Sequence, residues 1–196
     1  MYIVLLAMLA MNVSSDVLNG FAVVEESLSK STANASLQNT SVYDEFAAAY
    51  ELNHEKVGEW YNKALYVKEI SDSLYNLAEE LKVQIAIQAD GRDANVENIR
   101  NRDNLEAATQ VMLSPNRGRG QELYGAINSY RDQILQMVND SLKRDIISAN
   151  FSTEVPSKKG ALGKNWQEYN FENTPVVAAI TLLTKIQNDV RYAEGE

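Results

Sequence analysis

Between Trp60 and Ile85, the residues Trp60, Ala64, Val67, Ser71, Leu74, Ala78, Leu81 and Ile85 recur at alternating spacings of four and three. That repeat puts one side chain per turn on a single face of an α-helix and sustains it for about seven turns. Tyr61, Leu65, Ile70 and Leu77 widen the face to what a bundle helix needs. Asp90-Gly91 ends the run, since glycine takes the left-handed backbone that closes a helix. A stripe this long stays in water unless other helices cover it, so it commits the chain to helix-on-helix packing.

The rest of the chain supplies partners. Val17, Phe21, Val24 and Leu28 start a second stripe, which continues through Ser31, Ala35, Asn39, Val42, Phe46 and Ala49. This predicts one long helix to about Leu52, closed by a tight reversal at Asn53-His54. The competing reading is a loop at the Ser/Thr/Asn-rich stretch 31–41, with Ser41 capping a new helix. Leu123, Ile127, Tyr130, Ile134, Met137 and Ser141 predict a third helix, continuing to about Ala149. Thr174-Pro175 reads as a helix start with a capping hydroxyl, followed by the stripe Val176, Ala179, Leu183, Ile186 and Val190. The expected fold is all-α, a bundle of four amphipathic helices of comparable length. Residues 91–119 and 150–173 are long connections, so a plain up-down-up-down order is not forced. Helical sequence runs up to Glu196, and a longer natural chain is expected.

Composition narrows the chemistry. Eighteen basic against 27 acidic residues give a net charge of −9, which repels phosphate backbones and disfavours nucleic-acid binding. Cysteine is absent, so disulfides, thiolate catalysis and zinc fingers are excluded. One histidine disfavours a histidine-based triad, and nine Gly with three Pro disfavour a turn-rich β fold.

Met1 to Val13, MYIVLLAMLAMNV, is apolar apart from Tyr2 and Asn12. Thirteen helical residues rise about 20 Å, against about 30 Å of bilayer hydrocarbon. A signal peptide needs a basic start and an Ala-x-Ala site, and neither is present. A buried terminal helix without a polar face is unusual. The favoured reading is a membrane anchor over residues 1–15, whose cytoplasmic start precedes Met1, with residues 16–196 a periplasmic helical bundle. The acidic Asp16, Glu25 and Glu26 after the anchor fit a non-cytoplasmic side.

No constellation reads as an active site. Arg117-Gly118-Arg119-Gly120 lacks the Gly-Lys-Ser/Thr ending of a phosphate loop and reads as a solvated turn. Asp90-Gly91-Arg92-Asp93 fails the calcium-loop pattern and reads as helix termination. His54 reads as a turn residue. The adjacent pairs Glu79-Glu80 and Glu25-Glu26 point about 100° apart on a helix and read as solvated faces. Trp166, Tyr169 and Phe171 read as pins holding the last connection onto the bundle. Sequons such as those at Asn34 and Asn150 occur as often as an Asn- and Ser-rich sequence predicts. No cofactor, metal or small-molecule substrate is expected.

The opening MYIVLLAMLAMNVSSDVLNGF resembles the transmembrane segment of the GldM/PorM family of the type IX secretion and gliding machinery. The resemblance recurs at Lys56-Val57-Gly58-Glu59-Trp60-Tyr61-Asn62-Lys63-Ala64. It is strongest at Asn165-Trp166-Gln167, Phe171-Glu172-Asn173-Thr174-Pro175 and Ile180-Thr181-Leu182-Leu183-Thr184-Lys185-Ile186-Gln187-Asn188-Asp189-Val190-Arg191. It leans towards the PorM-like branch.

That resemblance implies a single-pass inner-membrane protein with a helical first periplasmic domain and further β-rich domains beyond it. It implies a homodimer whose transmembrane helices sit inside a ring of GldL/PorL subunits, five in number, through which proton flow drives rotation. The periplasmic part is then a shaft carrying work to outer-membrane components, and the chain is not an enzyme. Tyr2, Leu5, Leu6, Met8, Leu9 and Asn12 would line contacts within the ring, with Tyr2 donating a hydrogen bond to an acidic ring residue. The alternative is a periplasmic four-helix sensor domain of the chemoreceptor type, which would send its last helix back through the membrane. Residues 175–196 show amphipathic periodicity instead.

Overall fold

The computed structural model describes residues 14–157, 161 and 163–196. Among them are seven helices and no strand. They are α1 (Ser15–Leu52), α2 (His54–Asp90), α3 (Glu106–Leu113), α4 (Gly120–Leu135), α5 (Ser141–Asn150), α6 (Trp166–Phe171) and α7 (Val176–Gly195). The all-α expectation holds. The comparable lengths do not: α1 and α2 have 38 and 37 residues, whereas α4 has 16 and α7 has 20.

Contacts divide the chain into two compact units. The first holds the residues through Ser27, Glu80–Gln121 and Val155–Leu183; the second holds Leu28–Glu79, Glu122–Glu154 and Thr184–Glu196. The residue ranges of α1, α2 and α7 each contribute to both units.

In the second unit α1 is continuous through the Ser/Thr/Asn-rich stretch, so the competing loop at 31–41 does not form. Serine and threonine do not interrupt a helix when their hydroxyls bond back to it, as Thr32 does to the Leu28 carbonyl at 2.8 Å. The reversal falls at Asn53, whose side-chain oxygen accepts from the Lys56 N–H at 3.0 Å and so caps α2. Tyr50 stacks on Tyr61 across the hairpin, with ring centroids 4.7 Å apart, and Lys68 lies over the Tyr43 ring. These pairs make α1 and α2 antiparallel.

Ser71–Tyr130 and Tyr66–Gln133 set α4 antiparallel to α2. Lys143–Glu196 and Lys185–Asn150 set α5 antiparallel to α7. Thr32–Asn188 and Tyr43–Glu194 make α7 parallel to α1. The second unit is thus up-down-up-down-up, with α5 as the short fourth member.

The expected third helix is broken. After Leu135 the chain leaves the helix, and Asp140 restarts it by accepting the Lys143 N–H at 3.0 Å. The Arg144 guanidinium donates to the freed Leu135 and Val138 carbonyls, which makes the break tolerable. Heptad spacing continued to Ser141, but a capping aspartate and an arginine reaching back outweighed it.

In the first unit α2 ends at Gly91, with φ of +90° and its N–H on the Ile87 carbonyl, as expected. The 111–113 apolar patch lies on α3, a helix the periodicity did not reveal, with Met112 buried. α6 is a single short helix set by a capping box between Asn165 and Glu168. Its Trp166 and Phe171 rings meet edge to face and are buried; Tyr169 is exposed and does not pin the segment.

The start of α7 differs from expectation in its cap. The Thr174 hydroxyl donates back to the Asn170 carbonyl. The first N–H groups of α7, from Val176 and Val177, donate to the carbonyls of Asn104 and Arg102 instead. A loop remote in sequence therefore caps this helix.

The α7 stripe is buried as predicted, and so are Val177, Ile180, Thr184 and Gln187 around it, because neighbours surround the helix. The α2 stripe is buried from Ser71 to Ile85, while Trp60 at its start and Leu65 on its edge are exposed. The α1 stripe is covered only in part: Asn39 is buried and Phe21, Leu28, Ala35, Phe46 and Ala49 are half-buried, while Val17, Val24 and Val42 are exposed and Thr32, beside the stripe, is buried.

The expected anchor, residues 1–15, falls almost wholly outside the described residues. Among the described residues no helix is long and apolar enough to cross a membrane.

Candidate functional site

The most organised polar chemistry lies in the second unit, where three helices meet around the end of α7. Arg191 reaches Asp72 of α2 at 2.8 Å and Glu194, one turn on, at 2.7 Å. Its guanidinium carbon lies 4.3 Å from the centroid of the Tyr75 ring, a cation–π contact. The Glu194 side chain is 2% exposed and also accepts from the Tyr43 hydroxyl at 2.9 Å and the Asn39 amide at 3.1 Å. That amide also donates to the Arg191 carbonyl at 2.8 Å. One carboxylate therefore collects donors from α1 and from its own helix. One guanidinium ties α7 to α2.

Burial and the Glu194 charge beside it push the Tyr43 phenol well above its ordinary value, so it stays a donor. Burial likewise raises Tyr130, whose hydroxyl pairs with Ser71 at 3.0 Å and donates to the Val190 carbonyl at 3.3 Å. A second polar link follows one turn back on α7, where the buried Gln187 amide donates to Glu79 at 2.9 Å and to the Tyr75 carbonyl at 3.2 Å. Asp189 is buried and raised by that burial, although Lys185 pairs with it and offsets part of the effect. None of these groups is a nucleophile beside a base. The arrangement fixes the register of three helices.

The first unit has a smaller polar centre. Asp90, its side chain almost fully buried, accepts the N–H groups of Arg100 at 2.6 Å and Asn101 at 2.9 Å, and the Asn101 amide at 2.9 Å. Burial alone would raise this carboxyl. The N–H donors and the Arg100 charge outweigh it and hold the group below the usual carboxylate value. Asp90 thus ends α2 and also folds the loop after it.

The 117–120 loop is more than a solvated turn. Residues 115–117 are exposed, but the side chain of Arg119 pairs with Glu80 at 2.5 Å. A β-carbon on Gly118 would lie 2.6 Å from the Met112 carbonyl oxygen, and one on Gly120 2.8 Å from the same atom. The glycines permit this close backbone packing. His54 is exposed as expected but is the first residue of α2 and not part of the turn, its ring edge-on to Tyr50 at 4.4 Å. Glu79 and Glu80 do point apart, towards Gln187 and Arg119 respectively. Among the described residues, no group of three or more His, Asp or Glu is placed to hold a metal ion.

Tyr2, Leu5, Leu6, Met8, Leu9 and Asn12 lie outside the described residues. Sequence reasoning placed Asn39 on a helix stripe but missed the network it joins. The available signals were two polar residues, Thr32 and Asn39, at seven-residue spacing on an otherwise packed face, and an Arg–Glu pair three apart at 191 and 194.

Comparison with known families decides what this framework belongs to. The profile of the GldM N-terminal domain matches residues 16–196. The chain belongs to the GldM family. The match covers every described helix except for the first residue of α1, so both units and the polar network lie within the family domain. The GldM family is a structural motor component of gliding motility and type IX secretion. No curated protein sequence matches the chain significantly.

Proposed function

We propose that this chain is the shaft-forming first periplasmic domain, with its membrane anchor, of a non-enzymatic rotor subunit in a proton-motive-force-driven inner-membrane motor. It transmits mechanical work across the periplasm to drive type IX secretion, gliding or both. Within the family we place it on the PorM-like branch. The observation that carries this reading is the GldM-domain match across residues 16–196. The structure is in keeping with it: α1 and α2, at about 1.5 Å per residue, each extend more than 50 Å. Buried polar contacts tie α7 to α1 and α2 in the second unit, and such contacts resist slippage between helices because sliding one turn would leave charges unpaired in a low-dielectric interior.

In this reading residues 1–15 span the inner membrane and two copies pair. Their transmembrane helices sit inside a ring of five GldL/PorL subunits, with Tyr2, Leu5, Leu6, Met8, Leu9 and Asn12 against the ring. Downstream periplasmic and outer-membrane components receive the work. No nucleic acid or small-molecule substrate takes part.

The test is co-expression of the full-length protein with the two-span membrane protein encoded beside it, followed by native mass spectrometry. An unequal complex, two copies of this chain inside several of the other, is expected. A stable dimer that ignores its neighbour overturns the proposed motor assembly.

A further inference from the structure

Residues 31–43 of α1, STANASLQNTSVY, contain no charged residue, between Lys30 and Asp44. The surrounding second unit is strongly acidic, with nine basic against sixteen acidic residues. Solvated helix faces ordinarily carry charges, and the cores of protein interfaces are depleted of them. This stretch is not hidden inside the unit. Only Thr32 and Asn39 within it are buried; Asn34, Gln38 and Ser41 are exposed, and Leu37 is 71% exposed.

Two further features favour contact here. The outward residues are small or uncharged, which lets another helix approach closely. Beside them runs a groove of about 650 Å³, lined by Gln38 and Val42 of α1, Ile146 of α5 and Tyr192 of α7; the charged groups on its α7 side, Asp189, Arg191 and Glu196, are each paired within the unit, with Lys185, Asp72 and Lys143. Leu142, one turn before Ile146 on α5, is 68% exposed.

We propose that this uncharged face of α1, with the groove beside it, is where a second copy of the same chain docks. The proposal rests on the homodimer of the preceding section and names its contact face. Charge selects the occupant. A basic partner would find its attraction on the acidic remainder of the unit, not here. A second copy carries the same net charge of −9, so it is repelled by most of this surface and can approach without like-charge repulsion where both copies are neutral. In a two-fold dimer the same face serves both copies, which makes it self-complementary.

The absence of cysteine from the chain makes the test direct. Single cysteines at Asn34, Leu37, Gln38 or Ser41, and as controls at Asn62 or Asn76 on the outer face of α2, are introduced into the full-length protein in membranes. Oxidation is expected to give disulfide-linked dimers from at least two of the α1 positions and from neither control, because a disulfide needs Cβ atoms within about 4.5 Å. Independently, Leu37→Glu is expected to weaken dimerisation at least tenfold while helical content and thermal midpoint stay as in the parent, and Asn76→Glu is expected to do neither. A dimer that survives Leu37→Glu, or that cross-links through Asn62 or Asn76 instead, overturns this face and leaves the homodimer standing. A chain monomeric at every concentration overturns the homodimer and this face with it.

Discussion

Arg191 of α7 and Asp72 of α2 lie 2.8 Å apart, nitrogen to oxygen, and the same guanidinium holds Glu194 at 2.7 Å. Asp72 is partly solvated, with its side chain 40% exposed, whereas Glu194 is 2% exposed. The two carboxylates therefore do different work. The outer one orients the guanidinium, and the inner one depends on it for neutralisation.

Removing Arg191 should leave Glu194 charged and buried. Arg191→Met is expected to cost about 3–5 kcal/mol, as for other broken buried pairs. The double variant Arg191→Met with Glu194→Met should cost less than that single change, since no orphan charge remains. Urea unfolding followed by circular dichroism reads both values. A double variant less stable than the single would show that the pair is not the source of the effect.

Asp90 and Asp189 should respond to pH with opposite signs. Asp90 is held below its unfolded value of about 3.9, so its contribution is present above that pH and is lost as pH falls through the folded value. Asp189 is raised by burial, so its ionisation opposes folding at neutral pH, and that cost is relieved as pH falls. Asp90→Asn is expected to destabilise by about 1–3 kcal/mol at pH 7 and to flatten the acid limb of the stability curve. Asp189→Asn should change stability at pH 7 by less than about 1 kcal/mol. Thermal melts from pH 3 to pH 7 check both, and a steeper acid limb in Asp90→Asn would contradict the sign.

Two kinds of glycine should separate cleanly. Gly118→Ala drives a β-carbon to 2.6 Å from the Met112 carbonyl oxygen, a backbone atom with little room to move. A loss of about 1–3 kcal/mol is expected. Gly125 lies within α4 with nothing near its missing β-carbon, so Gly125→Ala should gain about 0.5–1 kcal/mol from helix propensity. Differential scanning calorimetry of the two variants should show midpoint shifts of opposite direction.

For the motor itself, Tyr2→Phe removes a hydroxyl from an otherwise apolar segment. If Tyr2 donates to an acidic ring residue, secretion or gliding should fall while the complex still assembles. Unchanged output in cells carrying this variant removes Tyr2 from the mechanism.

Much of the helical content was legible because helical burial is periodic and the period is local. The stripes Leu74–Ile85 and Val176–Val190 could be read directly, and the stops at Asn53 and Gly91 follow from the backbone habits of those residue types. The break at 136–140 was not legible. Its signal is one capping aspartate and one arginine whose targets are carbonyls several residues back. Nor was the polar network: Arg191 and Asp72 are 119 positions apart, and nothing near either residue names the other.

Sequence alone determined that this chain is helical, acidic and without thiol chemistry, and which faces of α2 and α7 go inside, because propensity, charge and apolar spacing act within a few residues. Tertiary structure decided that α7 runs parallel to α1, that carbonyls of Asn104 and Arg102 cap it, and that the packed face of α1 is polar at Thr32 and Asn39. Those outcomes depend on which remote groups come within hydrogen-bonding distance once the connections are closed, and a one-dimensional pattern holds no distances across the fold.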